Sequence, residues 1–193
     1  MNASTAYVRG IIPSEEREKD DFYPTPPAGT RALLAVEKFA GPIWEPACGE
    51  GDMSRVLEQA GYDVISTDLV NRGYGESRVD FLMEHCPRAP NIVTNPPFKL
   101  AEQFTRHALS LTTGKVAMLA RLAWLEGMAR RDLFETTPLA RVWIFAGRLG
   151  FDRARLADKG KGGMIAFAWF VWEHGHNGPP QIGWISPNRE GEA

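Results

Sequence analysis

The feature that most constrains the fold is a regular alternation of short apolar runs with segments of helical periodicity, from about residue 42 to residue 134. Short apolar runs predict strands, and apolar residues at helical spacing predict helices between them. Strands that alternate with helices predict a parallel sheet covered by helices on both faces. The predicted strands are 42–45, 63–68, 78–81, 91–94, 115–121, 141–146 and 164–172, and the predicted helices are 28–39, 52–60, 100–111 and 125–134.

The last two predicted strands, 141–146 and 164–172, have no clear helical pattern between them. Parallel neighbours need a crossover connection, whereas antiparallel strands do not. We therefore expect these two strands to pair antiparallel, joined by a loop at 147–163. The sequence thus predicts an α/β fold with a mostly parallel sheet of seven strands.

Composition places the chain among ordinary globular proteins. Its 193 residues, 44% apolar and 24% charged, suffice for one domain with a sizeable core. Residues 1–21 are acidic and lack periodicity, so we expect a mobile leader before a single domain at 22–193. Two cysteines, Cys48 and Cys86, are too few for a disulfide scaffold and indicate a reducing, cytoplasmic environment. No apolar run is long enough to span a bilayer, so no membrane partner is expected.

The loop EPACGEG, residues 45–51, follows the first strand. In open α/β sheets ligands bind at the carboxyl ends of strands, and Gly49 and Gly51 would let the backbone approach a ligand closely. No Gly-Lys-Ser/Thr follows, which excludes a phosphate-binding P-loop. The alternative interpretation is a plain strand-to-helix turn.

Two acidic residues end the next two strands. Asp68 stands where a carboxylate commonly holds ribose hydroxyls, although a solvated loop aspartate is the alternative. Asp80 precedes Phe81, and an aspartate can accept from an adenine amine while a phenylalanine packs on the ring. The alternative for this pair is one surface residue and one core residue.

The segment NPPF, residues 95–98, follows the strand 91–94. The exocyclic amine of adenine is a poor nucleophile because its lone pair is delocalised into the ring. Two acceptors that take both amine hydrogens would free that lone pair, and the side chain of Asn95 and the carbonyl of Pro96 are such acceptors. The prolines stiffen the loop, and Phe98 can stack on a base. A proline-rich connecting loop without function is the alternative.

These segments in this order resemble the S-adenosylmethionine-dependent adenine-N6 DNA methyltransferases, most of all the small phage and prophage type. The similarity rests on FYPTPP, EPACGEG, Asp68, Asp80-Phe81 and NPPF, and it covers roughly residues 22–172. It implies the Rossmann-like class I methyltransferase fold, with seven strands, an antiparallel last strand and helices on both faces. It also implies S-adenosylmethionine as the cofactor.

The resemblance further implies a role for each matching residue. The implied cofactor-binding residues are Tyr23, Thr25, Pro26, Glu45, Ala47, Cys48, Gly49, Gly51, Asp68, Asp80 and Phe81. Of these, the first three would lie along the methionine part, Asp68 would hold the ribose hydroxyls, and Asp80 would bind the cofactor adenine with Phe81 beside it. The implied catalytic residues are Asn95, Pro96 and Phe98, which would hold the target amine and stack on the target base.

The chain departs from many family members because it has no room for a large recognition domain. The best candidate for that role is the loop 147–163. Between residues 141 and 161 six basic side chains stand against two acidic ones, so phosphates could bind there although the chain carries a net charge of −2. Phe151 could support a flipped base from its other face. The alternative is a solvated loop.

The expected activity is methyl transfer to N6 of adenine in DNA, with the base flipped from a duplex or taken from a single strand. The same chemistry on RNA adenine or on a protein glutamine is the alternative, since glutamine-modifying relatives carry a similar Asn-Pro-Pro-aromatic loop. A catalytically inactive nucleic-acid-binding module is a third possibility. We expect a monomer or weak dimer, and no metal, because His174 and His176 lack a ligand pattern around them.

Overall fold

The computed structural model describes residues 22–151 and 165–187, which form one eight-stranded sheet with helices on both faces. The predicted leader 1–21 and most of the predicted loop 147–163 lie outside the described residues. The strands are β1 (Ile43–Glu45), β2 (Val64–Asp68), β3 (Glu76–Ser77), β4 (Asn91–Thr94), β5 (Lys115–Arg121), β6 (Leu139–Phe145), β7 (Phe167–Glu173) and β8 (Gln181–Ile185). The helices are α1 (Pro27–Leu34), α2 (Asp52–Gln59), α3 (Ala101–Leu111) and α4 (Arg131–Thr136).

The sheet has the strand order β3-β2-β1-β4-β5-β7-β6-β8. All neighbouring pairs are parallel except those of β7, which runs antiparallel to both β5 and β6. The chain first moves from β1 outward to β3 and then returns to place β4 on the other side of β1. The order therefore reverses between β1 and β4, and a crevice opens at the carboxyl ends of these two strands.

The α/β fold with a mostly parallel sheet is confirmed, but the strand count and the place of the antiparallel strand are corrected. The sheet has eight strands, and the antiparallel β7 is followed by β8, which pairs parallel with β6. Gly183 lies in β8, where a Cβ atom would overlap the ring of Trp143 on β6. Gly183 thus interrupts the apolar pattern by which β8 could be predicted, and its lack of a side chain allows β8 to lie against β6.

The core lies on both faces of the sheet. Along β5, Val116, Met118 and Ala120 belong to the cluster that includes residues of α3 and α4. Their neighbours Ala117 and Leu119 belong to the other cluster, which includes residues of α1 and α2. Alternate residues of a strand face opposite sides, so β5, which is apolar and buried from Val116 to Ala120, is covered on both faces.

Several element boundaries differ from the sequence-based prediction. Helix α1 ends at Leu34 rather than at 39. The predicted strand 78–81 is wrong, because β3 ends at Ser77 and a 3-10 turn begins at the last of these residues. Helix α4 begins at Arg131 rather than at 125, since two short 3-10 turns and Gly127, at a φ of 112°, occupy the preceding segment.

A buried ion cluster lies at the opposite edge of the sheet from the crevice. The carboxylate of Glu37 accepts from Lys115 at 2.7 Å, from Arg141 and from the indole of Trp143 at 2.9 Å. Burial by itself raises the pKa of Glu37, but these donors outweigh it and hold the pKa below its usual range. Lys115 is the first residue of β5, so this cluster lies at the end of the sheet away from the crevice.

No helix in the described part of the chain is long and apolar enough to cross a membrane.

Candidate active site

A cleft opens at the switch point between β1 and β4, and most of the predicted site residues line it. Twelve of the fourteen do so: Tyr23, Thr25, Glu45, Ala47, Cys48, Gly49, Asp68, Asp80, Phe81, Asn95, Pro96 and Phe98. Pro26 and Gly51 are not among the lining residues. The topology therefore brings together four segments that are far apart in sequence, those after β1, β2, β3 and β4, and the FYPTPP segment lies beside them.

Asp68 is fixed at the end of β2 by two backbone amides. The N–H of Gly49 donates to one carboxylate oxygen at 2.8 Å, and the N–H of Val70 donates to the other at 2.8 Å. Each carboxylate oxygen can accept more than one hydrogen bond, so both keep capacity for a ligand. Asp68 thus orients the loop after β1 and presents a positioned carboxylate to the cleft.

Gly49 is required for a close approach, but the group that approaches is part of the protein. Its φ is 57°, and a Cβ atom would lie 2.5 Å from the ring of Phe22. The guanidinium of Arg72 lies 4.0 Å from the centre of the same ring. Phe22 is therefore held between the loop after β1 and the segment after β2. Sequence reasoning missed both Phe22 and Arg72 as lining residues.

Gly51 makes its close approach to another part of the protein. Its φ is 84°, it precedes the first residue of α2, and a Cβ atom would lie 2.5 Å from the ring of Tyr74. The close approach at Gly51 is thus to Tyr74. The hydroxyl of Tyr74 donates to Glu58 of α2 at 2.7 Å, so this contact fastens α2 to the segment before β3.

We expect Gly51→Ala to destabilise the protein more than Gly61→Ala does. Both positions have a left-handed φ, of 84° and 89°, but a Cβ atom at Gly61 meets nothing within 4 Å. Backbone strain is then common to both variants, at about 1–2 kcal/mol, and overlap with Tyr74 adds about 1–3 kcal/mol for Gly51→Ala alone. Urea denaturation measures the difference. Equal losses of unfolding free energy would contradict the tight contact with Tyr74.

Glu45 is a buried carboxyl group at the end of β1, only 2% exposed. The hydroxyl of Ser54 on α2 donates to it and lies 2.7 Å from the hydroxyl of Ser66 on β2. Burial raises the pKa of Glu45 to about 8, and the nearby Asp68 and Asp52 carboxylates act in the same direction. Glu45 is therefore mainly protonated at neutral pH and connects β1, α2 and β2 as a neutral hydrogen-bonding group.

The raised pKa of Glu45 predicts a pH dependence of stability. Between its ordinary value of 4.5 and about 8, the folded protein binds a proton that the unfolded chain does not. This contribution is complete below about pH 4.5 and is lost as the pH rises through about 8. We expect the melting temperature of the cofactor-free protein to fall across this window and Glu45→Gln to flatten the fall. An identical pH profile for both proteins would contradict the assignment.

Cys48 lines the cleft but is not a nucleophile. Burial, together with the Glu45 and Asp68 carboxylates, raises the pKa of its thiol to about 12. The thiolate is the reactive form of cysteine, so a thiol with this pKa is inert at neutral pH. Cys48 serves as a small buried side chain beneath the loop.

Asn95 lines the cleft and carries an acceptor atom without a partner among the described residues. Its side-chain Nδ2 donates to the backbone carbonyl of Tyr23 at 3.1 Å, which fixes the orientation of the amide because a carbonyl oxygen can only accept. The Oδ1 atom on the other side is buried and meets no hydrogen-bond donor among the described residues. A buried acceptor without a partner is costly, and in an active site it indicates a place for a ligand donor.

Phe98 is already in contact on several sides. Its ring is stacked on Tyr23 with centroids 5.4 Å apart, and it lies 5.9 Å from the ring of Phe167. The guanidinium of Arg121 lies 4.6 Å from the ring centre. A base that stacks on Phe98 must therefore take the place of one of these groups. Tyr23, whose hydroxyl is also buried without a partner among the described residues, is the neighbour that lines the cleft.

The predicted adenine pair divides between surface and core. Asp80 is exposed, and its carboxylate accepts from the N–H of Leu82 at 3.1 Å. Phe81 is 2% exposed and packs with its ring 5.1 Å from Trp44 and 4.9 Å from Phe104. Phe81 thus contributes to the floor of the cleft from within the core.

Phe151, the candidate support for a flipped base, packs its ring 4.5 Å from that of Phe167. It is the last described residue before the gap at 152–164, so the basic side chains of the predicted recognition loop beyond it lie outside the described residues.

Eleven of the residues that line the cleft are not among the predicted site residues. They are Phe22, Pro46, Asp52, Met53, Leu69, Val70, Arg72, Val79, Pro97, Leu100 and Phe104. Most of them are direct sequence neighbours of the predicted motifs, so each motif contributes more residues to the cleft than predicted. Met53, Arg72 and Phe104 carry no such signal, because they reach the cleft only through the packing of α2, α3 and the segment before β3.

No family model and no curated protein matches the sequence. Solved structures do match. A type I restriction-modification methyltransferase subunit from Streptococcus thermophilus is 14% identical with a TM-score of 0.60, and the match covers 89% of this chain and 48% of that chain. A candidate RNA methyltransferase from Pyrococcus horikoshii is 14% identical with a TM-score of 0.58, covering 90% and 99%.

Magnesium protoporphyrin IX methyltransferase from Synechocystis PCC 6803, solved with S-adenosylmethionine bound, is 15% identical with a TM-score of 0.50, covering 76% of each chain. The names of the last two proteins give different substrates, RNA and magnesium protoporphyrin IX. At such low identities the likeness shows the fold alone. The chain has the fold of the class I S-adenosylmethionine-dependent methyltransferases, as the resemblance predicted.

Proposed function

We propose that this protein transfers a methyl group from S-adenosylmethionine to the exocyclic amine, N6, of adenine in DNA. The observation that carries the proposal is the buried Oδ1 atom of Asn95, a residue that lines the cleft, because this oxygen has no hydrogen-bond donor among the described residues. The backbone carbonyl of Pro96 follows directly in the same stiff loop. Two acceptors side by side match the two hydrogens of a primary amine.

The cofactor half of the cleft suits S-adenosylmethionine. Asp68 stands at the end of β2, oriented by two backbone amides, where a carboxylate can bind the two hydroxyls of a ribose. Three aspartates, Asp52, Asp68 and Asp80, line the cleft against one basic residue, Arg72, and this balance favours a ligand with a cationic sulfonium. Fold similarity to methyltransferases, one of them solved with S-adenosylmethionine bound, supports the same cofactor.

Bound S-adenosylmethionine supplies an electrophilic methyl group. The protein's own contribution is to hold and polarise the amine. Asn95 Oδ1 and the Pro96 carbonyl accept its hydrogens and draw the nitrogen toward a tetrahedral geometry, so that its lone pair points at the methyl group. Tyr23 keeps the Asn95 amide in the required orientation through its carbonyl oxygen. Formation of the nitrogen–methyl bond would break the bond between the methyl group and sulfur, so that S-adenosylhomocysteine leaves. The amine, cationic after the attack, then loses a proton to solvent, so no strong base is needed before the attack.

DNA is the preferred substrate in this proposal because of the ordered motif set and because one structural relative is a restriction-modification subunit. RNA adenine is the second candidate, favoured by the structural likeness to a candidate RNA methyltransferase. A protein glutamine presents a primary amide to the same two acceptors and is the third.

The test is a panel of acceptors with isotope-labelled S-adenosylmethionine. Unmethylated duplex DNA, the same DNA denatured, RNA and a protein extract are incubated in parallel, and label is counted in each after separation. We expect label in DNA. Label in RNA or protein only would keep the mechanism and change the substrate. No label in any acceptor would contradict the proposed activity, and titration calorimetry with S-adenosylmethionine would show whether the cofactor binds.

A further inference from the structure

The loop after β5, residues 122–130, begins beside Phe98, one of the residues that line the cleft. Strands β4 and β5 are parallel neighbours, so both end at the same edge of the sheet. β5 ends at Arg121, whose guanidinium lies 4.6 Å from the centre of the Phe98 ring. The loop that follows Arg121 therefore flanks the side of the cleft on which Asn95 lies.

This loop carries exposed apolar side chains. Met128 is 80% exposed, the largest exposed fraction among the large apolar residues in the described ranges, and Leu125 is 40% exposed. Leu100, which lines the cleft beside Phe98, is 38% exposed. Single exposed apolar residues are ordinary, but here three of them belong to the two segments that follow β4 and β5.

The loop is braced. The ring of Trp124 packs against the core, 5.1 Å from Phe170 and 5.3 Å from Phe134. Arg130 donates from Nε to the Trp124 carbonyl at 3.1 Å and from Nη2 to the Glu126 carbonyl. Gly127, at a φ of 112°, turns the chain between these anchors. These contacts fix the backbone on both sides of Met128, whose side chain is exposed.

We propose that Met128, assisted by Leu125, is a wedge that enters duplex DNA and fills the space left when the target adenine leaves the stack. This inference rests on the proposed function. The amine of a paired, stacked adenine cannot reach a buried acceptor such as Asn95 Oδ1, so the base must be extruded at a cost of a few kcal/mol. In proteins that kink DNA, apolar side chains such as methionine and leucine insert between base steps. An apolar side chain in the place of the extruded base would cover the faces of the neighbouring bases and offset part of that cost.

Charge near the wedge is compatible with a nucleic acid backbone. Lys99 is exposed in the turn that contains Phe98, and Arg121 lies at the base of the loop. Phosphates flanking an extruded base would find a cation on this side of the cleft, whereas the acidic residues that line the cleft belong to its cofactor half.

The test is Met128→Ser assayed on one unmethylated genomic DNA, used as a duplex and after heat denaturation. A wedge is needed only where a base must leave a stack. We expect kcat/KM on the duplex to fall about tenfold or more and kcat/KM on the denatured DNA to stay within about twofold. Met83→Ser is the matched control, because Met83 is 66% exposed and follows β3, at the far end of the sheet.

Equal losses on duplex and denatured DNA, or no loss on either, would overturn the wedge, as would an equal effect of Met83→Ser. These outcomes are distinct from a failure of the proposed function, in which the unaltered protein labels neither form of DNA. Transfer only to a protein acceptor that drops in Met128→Ser would assign the loop to protein recognition and would also overturn the proposal.

Discussion

Asn95→Ala is expected to lower the rate of methyl transfer by about 10²–10³ while leaving the affinity for S-adenosylmethionine nearly unchanged. The substitution removes Oδ1, which meets no donor among the described residues and is free to accept from the target amine. Loss of one positioned acceptor costs this much because it acts where charge develops on the nitrogen. Single-turnover transfer of labelled methyl to DNA measures the rate, and titration calorimetry measures the cofactor affinity.

Asn95→Asp is the control for this variant. Aspartate keeps an acceptor oxygen but cannot donate to the Tyr23 carbonyl, the contact that orients the native amide at 3.1 Å. We expect a rate between those of the native protein and Asn95→Ala. An alanine variant with nearly native activity would show that Oδ1 does not act on the amine.

Asp68→Ala is expected to weaken S-adenosylmethionine binding by roughly 100-fold. The carboxylate offers hydrogen bonds to ribose hydroxyls, and hydrogen bonds to a charged group contribute about 1.5–3 kcal/mol each. Its loss also frees the Gly49 and Val70 amides, which now donate to it at 2.8 Å, so the loop after β1 loses its support. Titration calorimetry at a temperature where the variant is folded measures the effect.

Asp63→Ala serves as the matched control, because Asp63 is an exposed aspartate just before the same strand. It removes the same charge from the protein without touching the cleft, so native affinity is expected. A comparable loss in both variants would mean that overall charge, rather than the position of Asp68, governs binding. Native affinity in Asp68→Ala would remove this residue from the proposed cofactor site.

The fold was predictable because its main signals are local. A strand such as β5, apolar at successive positions and buried on both faces, can only lie inside a sheet. Strand–helix alternation then implies the parallel pairing, and the loops after β1 and β4 meet because parallel strands end at one edge. The strand β8 was not predicted because Gly183 interrupts its apolar pattern. A glycine is required there because any Cβ atom would overlap the ring of Trp143 on β6.

The residues that line the cleft were more predictable from the sequence than the contacts that they make. The segments NPPF and EPACGEG can be recognised from their own residues. The residues that they contact lie elsewhere in the chain. Tyr23 orients Asn95 from 72 positions away, and Tyr74 explains the glycine at position 51. Such contacts depend on how the loops pack over the sheet, and the hydrophobic periodicity of the sequence does not predict that packing. Phe98 is the clearest case, since its ring is covered by Tyr23 and Arg121 before any base arrives.

The most direct test of the central claim is the chemical identity of the product. Unmethylated duplex DNA is incubated with methyl-labelled S-adenosylmethionine and the native protein, then digested to nucleosides and analysed by mass spectrometry, with Asn95→Ala in parallel. The account predicts labelled N6-methyldeoxyadenosine with the native protein and its near absence with the variant. Label on another atom of DNA, or the same yield of N6-methyldeoxyadenosine from both proteins, would contradict it.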